Sequence, residues 1–494
     1  SPTSSLDAVA ATAPPALERG PAYTSIAERA SSLSGNRQSQ IANRKSLAWQ
    51  PPIYPPKPDE WPTYRGNITR SGSTTGRVPA ELGELWKTPI GGALTASVAA
   101  DGKLVVCSKD ACIVHCLDAG TGKSLWQFAA GGRVDSPPTL HEGLCVFGCG
   151  DGSVYCLRLA DGALAWRFRA APVDRRIVAD SRLASPWPIS GSVLVLDGVV
   201  YFAAGRSSYL DGGIRLVGLD VRSGKELHEA TLTTTPGELG RRGPPGDGAL
   251  PDVLVSDGSS ISMRHIQFDK ELKRRRAPLT TLIASTGLLE DIWAHRQTLR
   301  LGRARGAAAS KAKLIVFDAD RAIGVMNPYT WLKRTSGLWP KGHDGHLHQK
   351  YSRYETRYFP IGVKIAATKN GVARASGPDA RRGKGKKRGE TPVADAWSIE
   401  EPIQPRAALL AGDTLFLAGW QDAVAIQEKT GRPLDPKKPD PRPACLWTLS
   451  TADGKTLSEH KLDCEPVFDG LIAAYNKLFL SMKDGTIRCF GGAE

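Results

Sequence analysis

The chain has 494 residues, a formal net charge of +15, 52 Gly, 35 Pro, 12 Trp and only 3 Met. That Gly and Pro load favours tight turns and short elements over long helices, and no apolar run reaches the roughly 20 residues of a membrane-spanning helix. The length exceeds one ordinary domain, so internal repeats have to be sought before domains are counted.

The chain begins at Ser1 with no charged-then-apolar leader, which reads as a removed leader or a partial chain. Residues 1–58 are rich in Ser, Ala and Pro, and Pro51, Pro52, Pro55, Pro56 and Pro58 favour an extended polyproline run at their end. This segment reads as a tail, linker or strap along the next domain, with a weak helical signal over 23–33. Organisation starts at Glu60-Trp61-Pro62-Thr63-Tyr64-Arg65-Gly66, so 59–494 is expected to be the folded domain.

Two stretches then superpose without a gap. Cys116–Trp126 and Cys156–Trp166 are offset by 40 residues, within the range of propeller blades. Weaker copies run over Gly218–Leu227 and Leu449–Leu457. Each copy is a strand ending in a small residue and Leu, then a polar turn whose Gly supplies positive φ, then a new strand. In the first two copies that strand carries Trp126 or Trp166. Short β-rich runs lie upstream at Lys103–Cys107, Leu144–Phe147, Val199–Ala203, Thr414–Ala418 and Leu478–Ser481. Four antiparallel strands, repeated, make a propeller blade.

The phrase Leu117–Trp126, Leu-Asp-Ala-x-Thr-Gly-Lys-x-x-Trp, resembles the tryptophan-docking motif of pyrroloquinoline-quinone-type propellers, the blade type of quinoprotein dehydrogenases and of the Bam-complex lipoprotein. Glu60–Gly72 is similar to the entry into such propellers, and Gly131–Pro138 and Gly205–Gly213 resemble propeller proteins of planctomycete-like genomes. The resemblance covers about 60–492, weakly between 230 and 400. It implies an all-β propeller of four-stranded antiparallel blades. Blades are expected near 92–128, 132–168, 185–230, 250–276, 281–335, 360–460 and 466–490. That makes seven, or eight if the irregular middle hides one. Leu82–Lys87 would supply the missing outer strand of the last blade, since closure removes exposed edges. Basic insertions at about 233–250, 304–311, 335–358 and 373–396 read either as partner-facing loops or as length drift.

Nine Cys leave at least one without an intramolecular partner, and no CxxC pair occurs. Cys116, Cys156 and Cys489 share one blade position that Gly218 fills elsewhere, which reads as a small packed site. Cys107 and Cys112 are one candidate bridge, across the Ser108–Ala111 turn, and Cys445–Cys464 is another that nothing in the sequence supports. His343, His346 and His348 beside Asp344 are the sharpest metal candidate, weakened by lying in a variable loop. The resemblance raises a quinone with calcium, but the chain has no Cys-Cys dipeptide and no recognisable calcium set. No cofactor is therefore expected. Glycosidase chemistry would need a converging carboxylate pair from among Asp135, Asp211, Glu290, Asp291, Glu400 and Glu401.

Innermost strands lead with residues that should meet at one mouth of the channel. That gathers Arg133, Asp135, Trp187, Trp293, His295, Arg296 and Arg406, with Arg206, Tyr209 and Asp211 on a nearby loop. Arg with Trp suits an anionic small ligand, a glycan or a partner's acidic side chain. The competing reading is that these charges pair with one another. The function expected is a non-catalytic scaffold or ligand-binding module within a larger assembly. The alternative is an enzyme at the funnel, quinoprotein-type or carbohydrate-active. The positive charge suits anionic partners, yet it clusters in 270–276, 300–313 and 381–388 as solvated loops. No nucleic-acid module is matched, so nucleic acid is not an expected partner. The resemblance implies a periplasmic or cell-surface setting.

Overall fold

The computed structural model describes residues 17–21, 23, 57, 59–179, 181–234, 249–276, 281–284, 287–289, 299–301, 312–326, 363–369, 397–401, 403–421 and 443–492. Their regular elements are strands arranged as seven blade sheets and one separate two-stranded hairpin. The chain is an all-β, seven-bladed propeller.

Blade one is Val98–Ala100, Lys103–Ser108, Ile113–Asp118 and Ser124–Ala129. Blade two is Thr139–His141, Leu144–Gly148, Ser153–Arg158 and Leu164–Arg169. Blade three runs from Leu194–Leu196 to Glu226–Leu232, and blade four from Val255–Ser256 to Arg274–Arg275. Blade six runs from Ile403–Ala411 to Thr456–Leu462. Blade seven takes Pro466–Ala474, Lys477–Met482 and Thr486–Gly492 from the C-terminal end, and its outer strand is Leu82–Pro89. That pairing sets Leu82 against Gly492 and Trp86 against Cys489, so the ring closes through its N-terminal strand as expected.

Blade five departs from the sequence-based boundaries. Val363–Lys369 and Trp397–Glu401 do not open the sixth blade. They pair outward from Arg321–Met326, and Ala312–Phe317 lies on the inner side, next to Ile403–Ala411. The hairpin Leu282–Ala284 with Leu299–Leu301 extends the same sheet inward, making it six-stranded. Long insertions between paired strands hid this continuity from a period of about 40 residues. Those at 335–358 and 373–396 lie outside the described residues, as do most of the other two and the weak helical signal over 23–33.

The repeated turn explains why the copies look alike. Gly122, Gly162, Gly224 and Gly454 donate their amides to Asp118, Arg158, Asp220 and Ser450 respectively, at 2.8–2.9 Å. Asp118 Oδ1 accepts from both the amide and the hydroxyl of Thr121, and Asp220 Oδ1 does the same with Ser223. An Asx-type turn of this kind leaves its Gly at φ +68 to +78. The preceding blade's aromatic fills the space a side chain would need. A Cβ on Gly162 would stand 2.7 Å from the Trp126 ring, and one on Gly224 the same distance from Trp166. The indole N–H groups of Trp126, Trp166 and Trp397 donate to Leu159 O, Val221 O and Thr451 O at 2.9, 3.1 and 2.8 Å. Each contact joins one blade's outer strand to the next blade's turn.

Candidate functional site

The entry segment 59–74 crosses the propeller axis and bonds to every blade. Trp61 exchanges backbone hydrogen bonds with Ala99 of blade one, and Leu140 N of blade two donates to Pro62 O at 2.7 Å. Arg70 Nη2 donates to Val193 O beside blade three, and Ser256 N of blade four donates to Ile68 O. Phe317 N, Leu410 N and Tyr475 N, in or beside blades five to seven, donate to Ser71 O, Gly72 O and Asp59 O. Ser73–Thr74 then runs parallel to the inner strand of blade six. The channel is therefore filled by the chain itself where the inner strands finish.

Polar side chains lock this plug. Arg65 Nη1 pairs with both carboxylate oxygens of Asp469 at 2.8 Å, Arg65 Nε donates to Arg70 O at 2.8 Å, and Nη2 donates to Ile315 O. Tyr64 OH donates to Leu288 O at 2.7 Å and to Asp469 Oδ2 at 2.9 Å. Burial, reinforced by the Asp469 charge, holds the Tyr64 phenol far above its ordinary range. Arg70 is fully buried, and its donors reach Leu254 O, Thr63 Oγ1, Tyr64 O and Val193 O. Burial without a carboxylate partner lowers its pKa. Such a satisfied buried network fixes one arrangement of the segment.

At the opposite end, the residues expected at the mouth fall into clusters between neighbouring blades. Arg133 pairs with Asp135 through Nε and with Asp110 at 2.7 Å, and Asp110 also takes Arg182. The Arg182 bond, then the Arg133 charge, hold the Asp110 carboxyl below its usual range. Lys109 beside them is pulled down by burial, opposed by the Asp135 charge. Arg206 pairs with Asp211 at 2.6 Å, and the buried Trp187 donates its indole N–H to Asp211 O at 2.9 Å. Tyr209 is exposed nearby. Arg406 is buried 3.7 Å from Glu465 and stacks over Trp420 at 5.2 Å, with Lys483 on the other oxygen of Glu465. Trp293, His295 and Arg296 lie outside the described residues.

Sequence reasoning missed the partners: Asp110, Arg182, Glu465, Lys483 and Trp420. Each comes from a neighbouring turn or strand end with no motif of its own. It also missed the hairpin Ile177–Ala179 with Arg182–Ala184, which Arg182 ties to the mouth. There Val178 and Leu183 face each other in register and are 76% and 69% exposed.

The nine Cys are free thiols, so neither Cys107–Cys112 nor Cys445–Cys464 is bridged. Cys116, Cys156 and Cys489 lie opposite Trp126, Trp166 and Trp86 in register, where a small side chain leaves room for the indole. Burial pushes Cys107, Cys116, Cys445 and Cys489 up to about 12, which suppresses thiolate chemistry. His343, Asp344, His346, His348, Glu290 and Asp291 lie outside the described residues, and nothing is described of the Glu400 and Glu401 side chains. Among the described residues no three His, Cys, Asp or Glu side chains gather closely enough to hold a metal ion. At the mouth, Arg133 and Arg206 are engaged by Asp110 and Asp211, so neither guanidinium is free for an anionic group such as a quinone carboxylate.

A propeller with its axis filled by its own entry segment is a closed, surface-presenting ring. Residues 73–242 match the family model described as outer membrane protein assembly factor BamB. One curated relative is the outer membrane protein assembly factor BamB of Burkholderia pseudomallei (strain K96243), 25% identical over 177 residues. The match covers 34% of this chain and 40% of that relative, so the chain spans about two fifths of the curated relative it matches. Similar solved structures include BamB from Moraxella catarrhalis, at TM-score 0.46 and 12% identity over 83% of this chain and 98% of that one. A europium-containing methanol dehydrogenase gives 0.49 and 11% over 88% and 98%, and a quinohemoprotein alcohol dehydrogenase from Comamonas testosteroni gives 0.47 and 13% over 88% and 81%. The chain is a seven-bladed β-propeller, and the repeats that match the family model lie in its first blades.

Proposed function

We propose that this protein is a non-catalytic propeller that presents its rim and mouth face to protein partners within a larger assembly. The filled axis carries this reading. Residues 59–74 close the channel end opposite the mouth with buried, hydrogen-bonded side chains, leaving the rim and the mouth face as the surfaces that meet partners. The mouth supports it, because its described arginines are engaged by carboxylates and it carries an exposed apolar hairpin. Val178 and Leu183 on that hairpin, flanked by Arg175, Arg176 and Arg182, suit a partner surface with apolar and acidic groups. The matched repeats fit a role like that of the assembly factor whose family they resemble, and a periplasmic or cell-surface setting belongs to the same reading. No transferable cofactor enters it.

Two measurements test it. The protein is incubated with quinone, calcium and a dye acceptor across an alcohol and sugar panel. A photo-cross-linking residue at Val178 is used in the native host. No turnover together with a discrete protein adduct is the expected result. Quinone absorbance retained after gel filtration, with dye reduction, would overturn the reading.

A further inference from the structure

Blade two differs from the other blades at its outer edge. Leu17–Arg19 adds a fifth, antiparallel strand there, with Leu17 against Phe168, Glu18 against Arg167 and Arg19 against Trp166. The outer strands of blades one, three and six instead leave Leu125, Leu227 and Leu457 about half exposed. On blade two the equivalent Ala165 is fully buried, as is Trp166, and Phe168 is nearly so. An edge strand this apolar is a pairing hazard when bare.

The added segment meets side-chain-specific features. Leu17 enters the slot between Trp166 and the turn of Gly224, where a Cβ on Gly224 would stand 2.8 Å from Leu17 Cδ1. Glu18 lies 3.7 Å from the Arg167 guanidinium. Gly20 N donates to Ala165 O at 2.6 Å, and the backbone there is so close that a Cβ on Gly20 would lie 2.0 Å from Leu164 O. Only glycine fits. Tyr23 packs against the blade two–three core, and Arg19 stacks on its ring at 4.7 Å.

We infer that the outer edge of blade two is a sequence-selective strand-binding site for an extended peptide of the pattern apolar–acidic–x–Gly, filled here by Leu17-Glu18-Arg19-Gly20 of the same chain. Main-chain pairing provides the affinity, and the Trp166 slot, Arg167 and the glycine-only contact provide the selection. In sequence, residues 24–56 separate this segment from Lys57 and the entry segment, so it is a tethered ligand that a peptide in trans can replace. This inference does not depend on the scaffold reading.

The test uses the full chain with Leu17→Asp and Gly20→Leu, and hydrogen exchange over 164–169, with blade one's 124–129 as an internal control. The double variant should exchange at least tenfold faster at 164–169 and unchanged at 124–129. A synthetic peptide of residues 14–25 should restore protection, while the same peptide carrying Gly20→Leu should not. Unchanged exchange in the variant would overturn the inference, as would failure of the wild-type peptide to restore protection or equal rescue by the altered one. Faster exchange at both segments would mean a ring-wide effect and would also overturn it.

Discussion

Asp469 is the acceptor on which the plug converges, so Asp469→Ala is the sharpest test of the filled axis. It removes both carboxylate bonds to Arg65 and one of the two acceptors of Tyr64. Arg65 keeps Arg70 O and Ile315 O but becomes an uncompensated charge, with its side chain only 2% exposed. Breaking a buried pair from one side costs about 3–5 kcal/mol. For a cooperative unit on the order of 300 residues, that lowers Tm by roughly 5–8 °C. Asp161→Ala breaks the exposed Arg158–Asp161 pair and serves as the control, costing about 0–1 kcal/mol. The double change Arg65→Met with Asp469→Leu removes both charges and should cost clearly less than Asp469→Ala alone. Thermal unfolding followed by near-ultraviolet circular dichroism measures all four proteins. Hydrogen exchange across 59–74 in Asp469→Ala should rise in parallel. A shift for Asp469→Ala no larger than that of Asp161→Ala, with unchanged exchange at 59–74, would refute the seated plug.

Gly162→Val meets the Trp126 ring and a φ of +74, whereas Gly143→Ala meets open space at a φ of +78. Urea unfolding should therefore show about 2–4 kcal/mol lost in the first and about 1 kcal/mol in the second. In the native protein at pH 8, a thiol-specific dye should label Cys112 and Cys464 quickly and the seven buried Cys only on unfolding. Because burial raises the folded pKa of those thiols, their contribution is complete below the free thiol's roughly 8.5 and is lost as pH rises towards about 12, so stability should fall across that alkaline range. Asp110→Asn should release the hairpin, seen as faster tryptic cleavage after Arg175 and Arg176, at a stability cost below about 1 kcal/mol because the groups are partly exposed. The lowered Asp110 pKa means that the same release should appear in the wild type as pH falls below the ordinary carboxyl range.

The parts of the fold that were legible in the sequence are those encoded locally. The Asp118 and Asp220 turns advertise themselves because one carboxylate, one hydroxyl and one Gly within five positions are what the turn needs. Ring closure was legible because an orphan strand at Leu82 and an incomplete last blade imply each other. Blade five was misdivided because Arg321–Met326 and Val363–Lys369 pair with each other across a sequence separation longer than most blade connections. Of the mouth, the residue types were legible and their pairing was not. Asp110 and Arg182 lie 72 positions apart, and nothing near either announces the other. The plug was least legible of all. Glu60–Gly72 stood out as an entry motif, yet its bonds run to residues up to 405 positions away, and only the closed ring brings them together.

That distance has a consequence for how the molecule assembles. The first ninety residues contribute a strand to blade seven, a plug touching all the blades, a parallel strand to blade six and an edge strand to blade two. All but the blade-two edge strand must wait for C-terminal or distant blades, so most of the segment's reward is deferred while its loop-closure entropy is not. The middle blades need only neighbours, through Trp126 on Gly162 and Trp166 on Gly224. Stability should therefore be graded, with blades one to three holding without the clasp and the axis ordered last. This order also accounts for the bare apolar edge of blade two being covered by a nearby N-terminal strand: early in assembly that edge would otherwise be open to pairing with another chain.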